Sequence, residues 1–262
     1  MSSTADKALS LLELFSSKQP EIGLSEIARL ADIDKATAHR LLTTLAKRGF
    51  LEQSAQSKLY RLGVSVVRLA RYREAIFPLE SVVRSELELL ANQTGETCHA
   101  SIIAGNKLAT IGYAEGSKSI HVTLEPGQLL HLHATASGVA CLAYMSSERQ
   151  KLFLKKPLES FTPATPVDIE GVVKLVEKAR KAGFATADQT YESDVYGIAA
   201  PLFGPDGFAQ GAVAVATPAH RMTRELLSQT AAHVMEAATR ITRKLGFEPP
   251  KPFLILQERA AA

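Results

Sequence analysis

Ser25-Glu26-Ile27-Ala28-Arg29-Leu30-Ala31-Asp32-Ile33-Asp34-Lys35-Ala36-Thr37-Ala38-His39-Arg40-Leu41-Leu42, continuing to Tyr60-Arg61-Leu62, is the stretch from which the fold reads. Residues 25–31 spell a short amphipathic helix, Asp32-Ile33-Asp34 a turn, and residues 35–48 a second helix that Gly49 stops. Phe50–Gln53 and Lys58–Leu62 then make two short strands around a polar turn. Two helices joined by a tight turn give one a platform and leave the other free to enter a major groove. With the hairpin behind it, the pattern is a winged helix-turn-helix.

Helical spacing assigns the faces of the second helix. Ala38, Leu41, Leu42 and Leu45 fall on one stripe at i, i+3, i+4 and i+7 and point to a core. Ala36, Arg40, Thr43 and Lys47 lie opposite, flanked by Thr37, His39 and Thr44. Asp34 is placed to cap the helix, whose free N–H groups favour a phosphate. Arg40 can pair bidentately with guanine, Thr37 and Thr43 can bond either base, and Ala36 can meet a thymine methyl. Lys58, Tyr60 and Arg61 on the wing suit phosphate or minor-groove contact. With Ser25 at the start of the first helix and Lys35 at the start of the second, these make the DNA-facing set. The blander reading is an ordinary surface helix with solvated charges, but cap, turn, length and wing agree on DNA.

At 262 residues the chain suits about two domains. A 46% apolar and 22% charged composition is that of a folded protein and excludes a disordered one. Residues 1–75 carry twelve Lys/Arg against eight Asp/Glu, while the remainder carries eighteen against nineteen. The positive excess therefore sits with the helix-turn-helix, as phosphate binding needs. Cys98 and Cys141 are the only cysteines and form no CxxC pair, which argues against a disulfide or zinc-ribbon scaffold. No leader-like segment and no apolar run near the ~20 residues of a membrane span is present, so the expectation is a cytoplasmic protein without a membrane partner.

Outward from the decisive stretch, Thr4 to about Ser17 reads as a helix with Ala8, Leu11, Leu12 and Phe15 on one face. Gly63 introduces a second amphipathic segment, Val64–Arg73, and Pro78 marks a boundary. From Leu79 the pattern becomes α+β. A helix runs to about Asn92, followed by strand-like runs at Thr97–Ala104, Lys107–Tyr113 and Ser119–Leu124. Helices are expected near Thr135–Tyr144, Ser147–Phe153 and Asp168–Ala182, and strands at Phe184–Asp188, Tyr196–Phe203 and Gln210–Ala216. A long helix, Met222 to Leu245, stops before Gly246 and Pro249-Pro250. The expected divisions are 1–63 for DNA binding, 64–78 for a linker helix, 79–246 for a second domain and 247–262 for a tail. A sheet with helices on one side and a loop-bordered hollow on the other is the expected layout of that domain.

Both halves together resemble the isocitrate lyase regulator (IclR) family of bacterial transcription factors. The likeness rests on Asp6-Lys7-Ala8-Leu9 through Phe15, Leu24–Ala28, Lys35–Leu42 and Tyr60–Gly63 in the first half. In the second it rests on Leu132-His133-Ala134-Thr135-Ala136-Ser137-Gly138-Val139-Ala140, Gly183-Phe184 through Asp188, Gly197–Phe203 and Gly211–Val213. The resemblance implies a winged-helix domain, a helical linker and a GAF-like effector-binding domain. It further implies a homodimer or dimer of dimers, a palindromic double-stranded operator, and control of catabolic genes by a small organic or aromatic acid. By the same likeness, backbone at Ala136 and Ser137 holds the effector's polar end, with Val122, Leu130, Asp188, Val195, Gly197, Ala214 and Ala216 around it. Val122, Leu130, Ala187, Val195, Gly197, Ala214 and Ala216 depart from the polar pattern of glyoxylate- and pyruvate-responsive members. They imply either a bulkier, more apolar ligand or a tighter core.

Other chemistry has weaker support in the sequence. His121, His131 and His133, with Cys98-His99, are ligand types for a transition metal but lack tight ligand spacing, and no metal or other cofactor is expected. Cys141, near a helix start, reads either as an activated thiol or as a small core residue. Ser137 lacks the GxSxG elbow, and no nucleophile, base and orienter are in evident reach, so no enzyme is expected. A second domain that only oligomerises, with no ligand, remains the alternative to a sensor.

Overall fold

The computed structural model describes residues 4–16, 19–76, 79–124, 128–155 and 157–261. The chain falls into two compact units, residues 1–78 and 79–262. Pro78, and Ser17 at the expected end of the first helix, lie outside the described residues.

The first unit opens with α1 (Thr4–Ser10) and a 3-10 turn at Leu12–Leu14. This replaces the single helix expected from the periodicity. The tighter turn brings Leu12, Leu14 and Phe15 onto the core that Leu11 enters fully buried. Next come α2 (Leu24–Leu30), α3 (Lys35–Lys47), β1 (Leu51–Gln53), β2 (Tyr60–Leu62) and α4 (Val64–Ile76). The stripe Ala38, Leu41, Leu42 and Leu45 of α3 is buried, and Leu41, Leu42 and Leu45 meet Ile22, Ile27 and Leu51 in one core. Gly63 is dictated by space, since a Cβ there would lie 2.3 Å from Gly49 O. That close approach lets Ser65 bond Arg48 O through its hydroxyl and Gly49 O through its N–H, tying α4 to the end of α3.

The second unit comprises α5 (Leu79–Thr94), β3 (Thr97–Ala104), β4 (Lys107–Ala114), β5 (Leu129–His131), α6 (Ala136–Ala143), α7 (Ser147–Phe153) and α8 (Ile169–Ala182). It continues with β6 (Ala185–Asp188), β7 (Val195–Phe203), β8 (Ala209–Pro218), α9 (Arg224–Lys244) and α10 (Lys251–Ala261). The strands form one antiparallel sheet in the order β5-β4-β3-β8-β7-β6. Alternation divides its side chains between two cores. Cys98, Ala100, Ile198, Ala200, Val213 and Val215 join Leu87, Val234 and Ile241 of α5 and α9, while Leu108, Ala199, Ala212 and Ala214 join Val139, Val172 and Val176 of α6 and α8.

Three expectations are corrected here. Helices cover both faces of the sheet, because α6 is built of small buried residues that let it lie close to the strands. Ser119–Leu124 is not a strand. Its carbonyls are taken by side chains, Ile120 O by Arg221 and Val122 O by Thr97, and the place beside β4 goes to β5. Within the expected C-terminal tail, Lys251–Ala261 forms a packed helix, α10. Phe253 of α10 is fully buried, its ring 5.1 Å from Phe203 and 5.9 Å from Tyr144. No described helix is long and apolar enough to cross a membrane.

Candidate functional site

In the first unit, Asp34 caps α3 by accepting from Thr37 N–H at 2.8 Å. That backbone hydrogen bond holds its carboxyl below the usual range. Ser25, Lys35, Ala36, His39, Arg40 and Thr43 are exposed, and Thr37 is half-buried. Among the described residues Arg40 and Lys47 enter no ion pair, so their charges face solvent unneutralised. The Thr43 hydroxyl donates back to His39 O at 2.8 Å and keeps its lone pairs for an incoming donor. On the wing Lys58 is exposed, with a left-handed backbone (φ 59°) at the turn. Arg61 is exposed but shared with Glu52 at 3.2 Å and Glu21 at 3.8 Å, pairs weak enough in water to yield to phosphate.

Tyr60 corrects the sequence reading. It is only 3% exposed, packed with Ile22, Leu42 and Leu51, and its backbone exchanges both hydrogen bonds with Ile22 at 2.9 Å. Period-two alternation turns Tyr60 inward when Arg61 faces out, so no DNA contact is available to its ring.

In the second unit a cleft lies between the sheet and the first turn of α6. It gathers Val122, Leu130, Ala136, Ser137, Ala187, Val195, Gly197, Ala214 and Ala216 from five elements and the 115–124 segment. Asp188, named with them from the sequence, stands outside. It is exposed on β6 and bonds Gln189, because adjacent strand residues face opposite ways and Ala187 takes the inward position. Spacing alone did not reveal His99 of β3, Leu124, Gln128, Thr190, Tyr191 and Glu192, which complete the wall together with Thr135 and Val215. Of the residues so missed only His99 carried a sequence signal, through the Cys98-His99 pair, and it pointed to metal.

The α6 end of the cleft is built from local bonds. Thr135 accepts from Gly138 N–H at 3.1 Å and donates to His131 O at 2.9 Å. Val139 N–H is taken by Thr135 O, which leaves the N–H groups of Ala136 and Ser137 without an acceptor among the described residues. Gly138 is obligatory, since a Cβ would sit 2.3 Å from Leu132 O. Thr190 donates to Ala134 O at 2.7 Å, and Thr162 and Thr165 hold Gln189 O and Thr190 O, fastening the rim. Across the cleft, buried Glu96 meets Lys118 Nζ at 2.8 Å and Arg221 Nη1 at 2.7 Å, which anchors the segment carrying Val122 and Leu124.

The other reactive groups are spent on structure. His121 bonds Lys118 O and His133 bonds Glu159 O, and no cluster of three metal-ligating groups occurs among the described residues. Burial pushes the Cys98 thiol up to about 12 and raises that of Cys141 as well, so neither is an activated nucleophile.

A winged helix with an exposed basic recognition face, followed by a sheet domain holding a cleft beside a helix N-terminus, is the architecture of a two-domain DNA-binding transcriptional regulator. Residues 4–55 match the IclR helix-turn-helix domain and residues 76–243 the bacterial transcriptional regulator IclR C-terminal domain. The chain belongs to the IclR family of transcriptional regulators. It is 31% identical to the HTH-type transcriptional regulator BhcR of Paracoccus denitrificans, covering 94% of this chain and 88% of that one. A putative IclR regulator from Silicibacter sp. TM1040 superposes with a TM-score of 0.86 at 37% identity, covering 95% and 99%. An IclR homologue from Microbacterium hydrocarbonoxydans, solved as a complex with 4-hydroxybenzoate, shares the fold with a TM-score of 0.77 at 24% identity, covering 93% and 99%. The curated relatives are named as transcriptional regulators, not enzymes.

Proposed function

We propose that this regulator senses an apolar or aromatic carboxylic acid in the α6 cleft and changes its operator affinity in response. The observation that carries the reading is the pair of unbonded N–H groups at Ala136 and Ser137, opening onto a wall of small apolar side chains. A helix N-terminus favours an anion, and Val122, Leu130, Val195, Ala214 and Ala216 offer no charge or hydrogen bond to a second polar end. The 4-hydroxybenzoate complex of the Microbacterium homologue supports the same ligand class within this fold.

DNA binding is proposed to be by a two-fold pair of copies on a palindromic operator near catabolic genes, in the cytoplasm. Exposed Val64, Val67, Leu69 and Tyr72 on α4 support a self-association surface. The effector signal passes through this connecting helix, and ligand and operator then shift each other's affinity by the same factor. No metal or organic cofactor enters the scheme. Calorimetric titration with aliphatic and aromatic acids tests the sensor. Saturable binding of aromatic acids, abolished by Ala214→Leu, is expected. Tight glyoxylate binding with indifference to aromatic acids overturns the apolar-ligand reading.

A further inference from the structure

The side chains that the strands turn into the cleft are apolar except on β3. There His99 is only 6% exposed, with Cys98 and Ala100 turned into the opposite core. Its Nε2 lies 3.2 Å from Ser137 Oγ, so the imidazole touches the residue whose own N–H opens the anion seat. Its Nδ1 is buried without a hydrogen-bond partner among the described residues. Buried polar atoms are normally paired, and one left bare is unfavourable until something satisfies it. We propose that the missing partner is a hydroxyl group of the ligand. The effector is then a hydroxylated carboxylic acid, with His99 as the residue that selects it. This rests on the carboxylate seat proposed above.

The chemistry of the imidazole selects a hydroxyl over other groups. Burial lowers His99 from the ordinary 6.5 to about 4, so at neutral pH it offers no positive charge to a second carboxylate. A neutral imidazole carries one N–H and one lone pair, on different nitrogens. The Ser137 hydroxyl plays either role toward Nε2, which leaves Nδ1 as a lone donor or a lone acceptor. A ligand hydroxyl satisfies both cases, a keto oxygen only one. Ser137 presents its N–H to the carboxylate and its Oγ to the imidazole. The ligand hydroxyl therefore belongs close to the carboxylate, on the adjacent carbon or the next, or at an ortho or meta ring position.

Calorimetry on the full-length protein compares benzoate with its ortho- and meta-hydroxy derivatives, and hexanoate with its α-hydroxy derivative. In the wild type the hydroxylated member of a pair is expected to bind about tenfold tighter or more. In His99→Phe the two members converge to within about twofold. A preference that survives in His99→Phe, or that is missing from the wild type, overturns the proposal. Nitrogen NMR of the wild type serves where the variant does not fold. The Nδ1 resonance of His99 should move with a hydroxy acid and stay put with its parent, and an Nδ1 that ignores the hydroxy acid overturns the assignment. Parent acids that bind and are weakened by Ala136→Pro, with no hydroxyl preference, remove His99 alone. Failure of every acid to bind removes the seat and the proposal together.

Discussion

Arg40, Lys58, Tyr60 and His99 separate roles that a residue type alone does not distinguish. Arg40 leaves the exposed face of α3 with its guanidinium uncommitted among the described ion pairs, whereas Lys58 stands at the tip of the wing. Arg40→Ala should weaken a cognate operator by about 1–3 kcal/mol and random duplex much less, while Lys58→Ala weakens both alike. Fluorescence anisotropy on the two duplexes measures the contrast, and equal losses for Arg40→Ala would remove it from base readout. Tyr60 belongs to the core, so Tyr60→Phe should leave affinity and its salt dependence unchanged, whereas Tyr60→Ala destabilises the DNA-binding unit by about 3 kcal/mol. A shallower salt slope in Tyr60→Phe would place the hydroxyl on phosphate after all. His99 titrates lower folded than unfolded, about 4 against 6.5. The unfolded chain therefore binds the extra proton first. Stability associated with the neutral ring is complete above pH 6.5 and is lost as pH falls towards 4, on the order of 3 kcal/mol. Urea midpoints from pH 7 to 4 should show a smaller acid loss in His99→Phe than in wild type.

At the scale of elements, the start of α6 and the packing of α10 make separable predictions. Thr135 already holds an extended backbone (φ −117°, ψ 151°), the conformation a following proline demands. Ala136→Pro therefore removes one N–H from the first helical position with little distortion, where proline is well tolerated. Carboxylate affinity should fall by about tenfold with thermal stability nearly unchanged. A calorimetric affinity equal to wild type would move the anion elsewhere. In α10, Phe253 fills a ring cluster with Phe203 and Tyr144. Phe253→Ala should cost the second unit about 3–5 kcal/mol, read by denaturant unfolding. A loss below 1 kcal/mol would mean that the helix is dispensable.

For the whole molecule, net charge is small at +3 but concentrated in the DNA-binding part, where residues 1–75 hold twelve basic and eight acidic side chains. Operator affinity should therefore fall linearly in log–log terms as salt rises, by roughly one unit of slope per phosphate neutralised. Binding that ignores salt between 50 and 200 mM would contradict a phosphate-clamped complex.

The sequence by itself determined the recognition helix, its Asp34 cap, the family and most helix and strand spans, because these depend on short-range periodicity and capping that 3.6- and 2-residue repeats expose directly. It also supplied the apolar set that the cleft gathers, through the resemblance of the segment around Ala136–Ser137. Only tertiary structure decided which strand residues face inward. Shifting by one residue reverses every side chain, which is why Tyr60 left the interface and Ala187 rather than Asp188 entered the cleft. Tertiary structure alone also broke the first helix, denied Ser119–Leu124 a neighbouring strand and folded the C-terminal residues onto the sheet. It brought His99 against Ser137 across 38 positions of sequence, a contact fixed by sheet order and helix packing that no local pattern encodes.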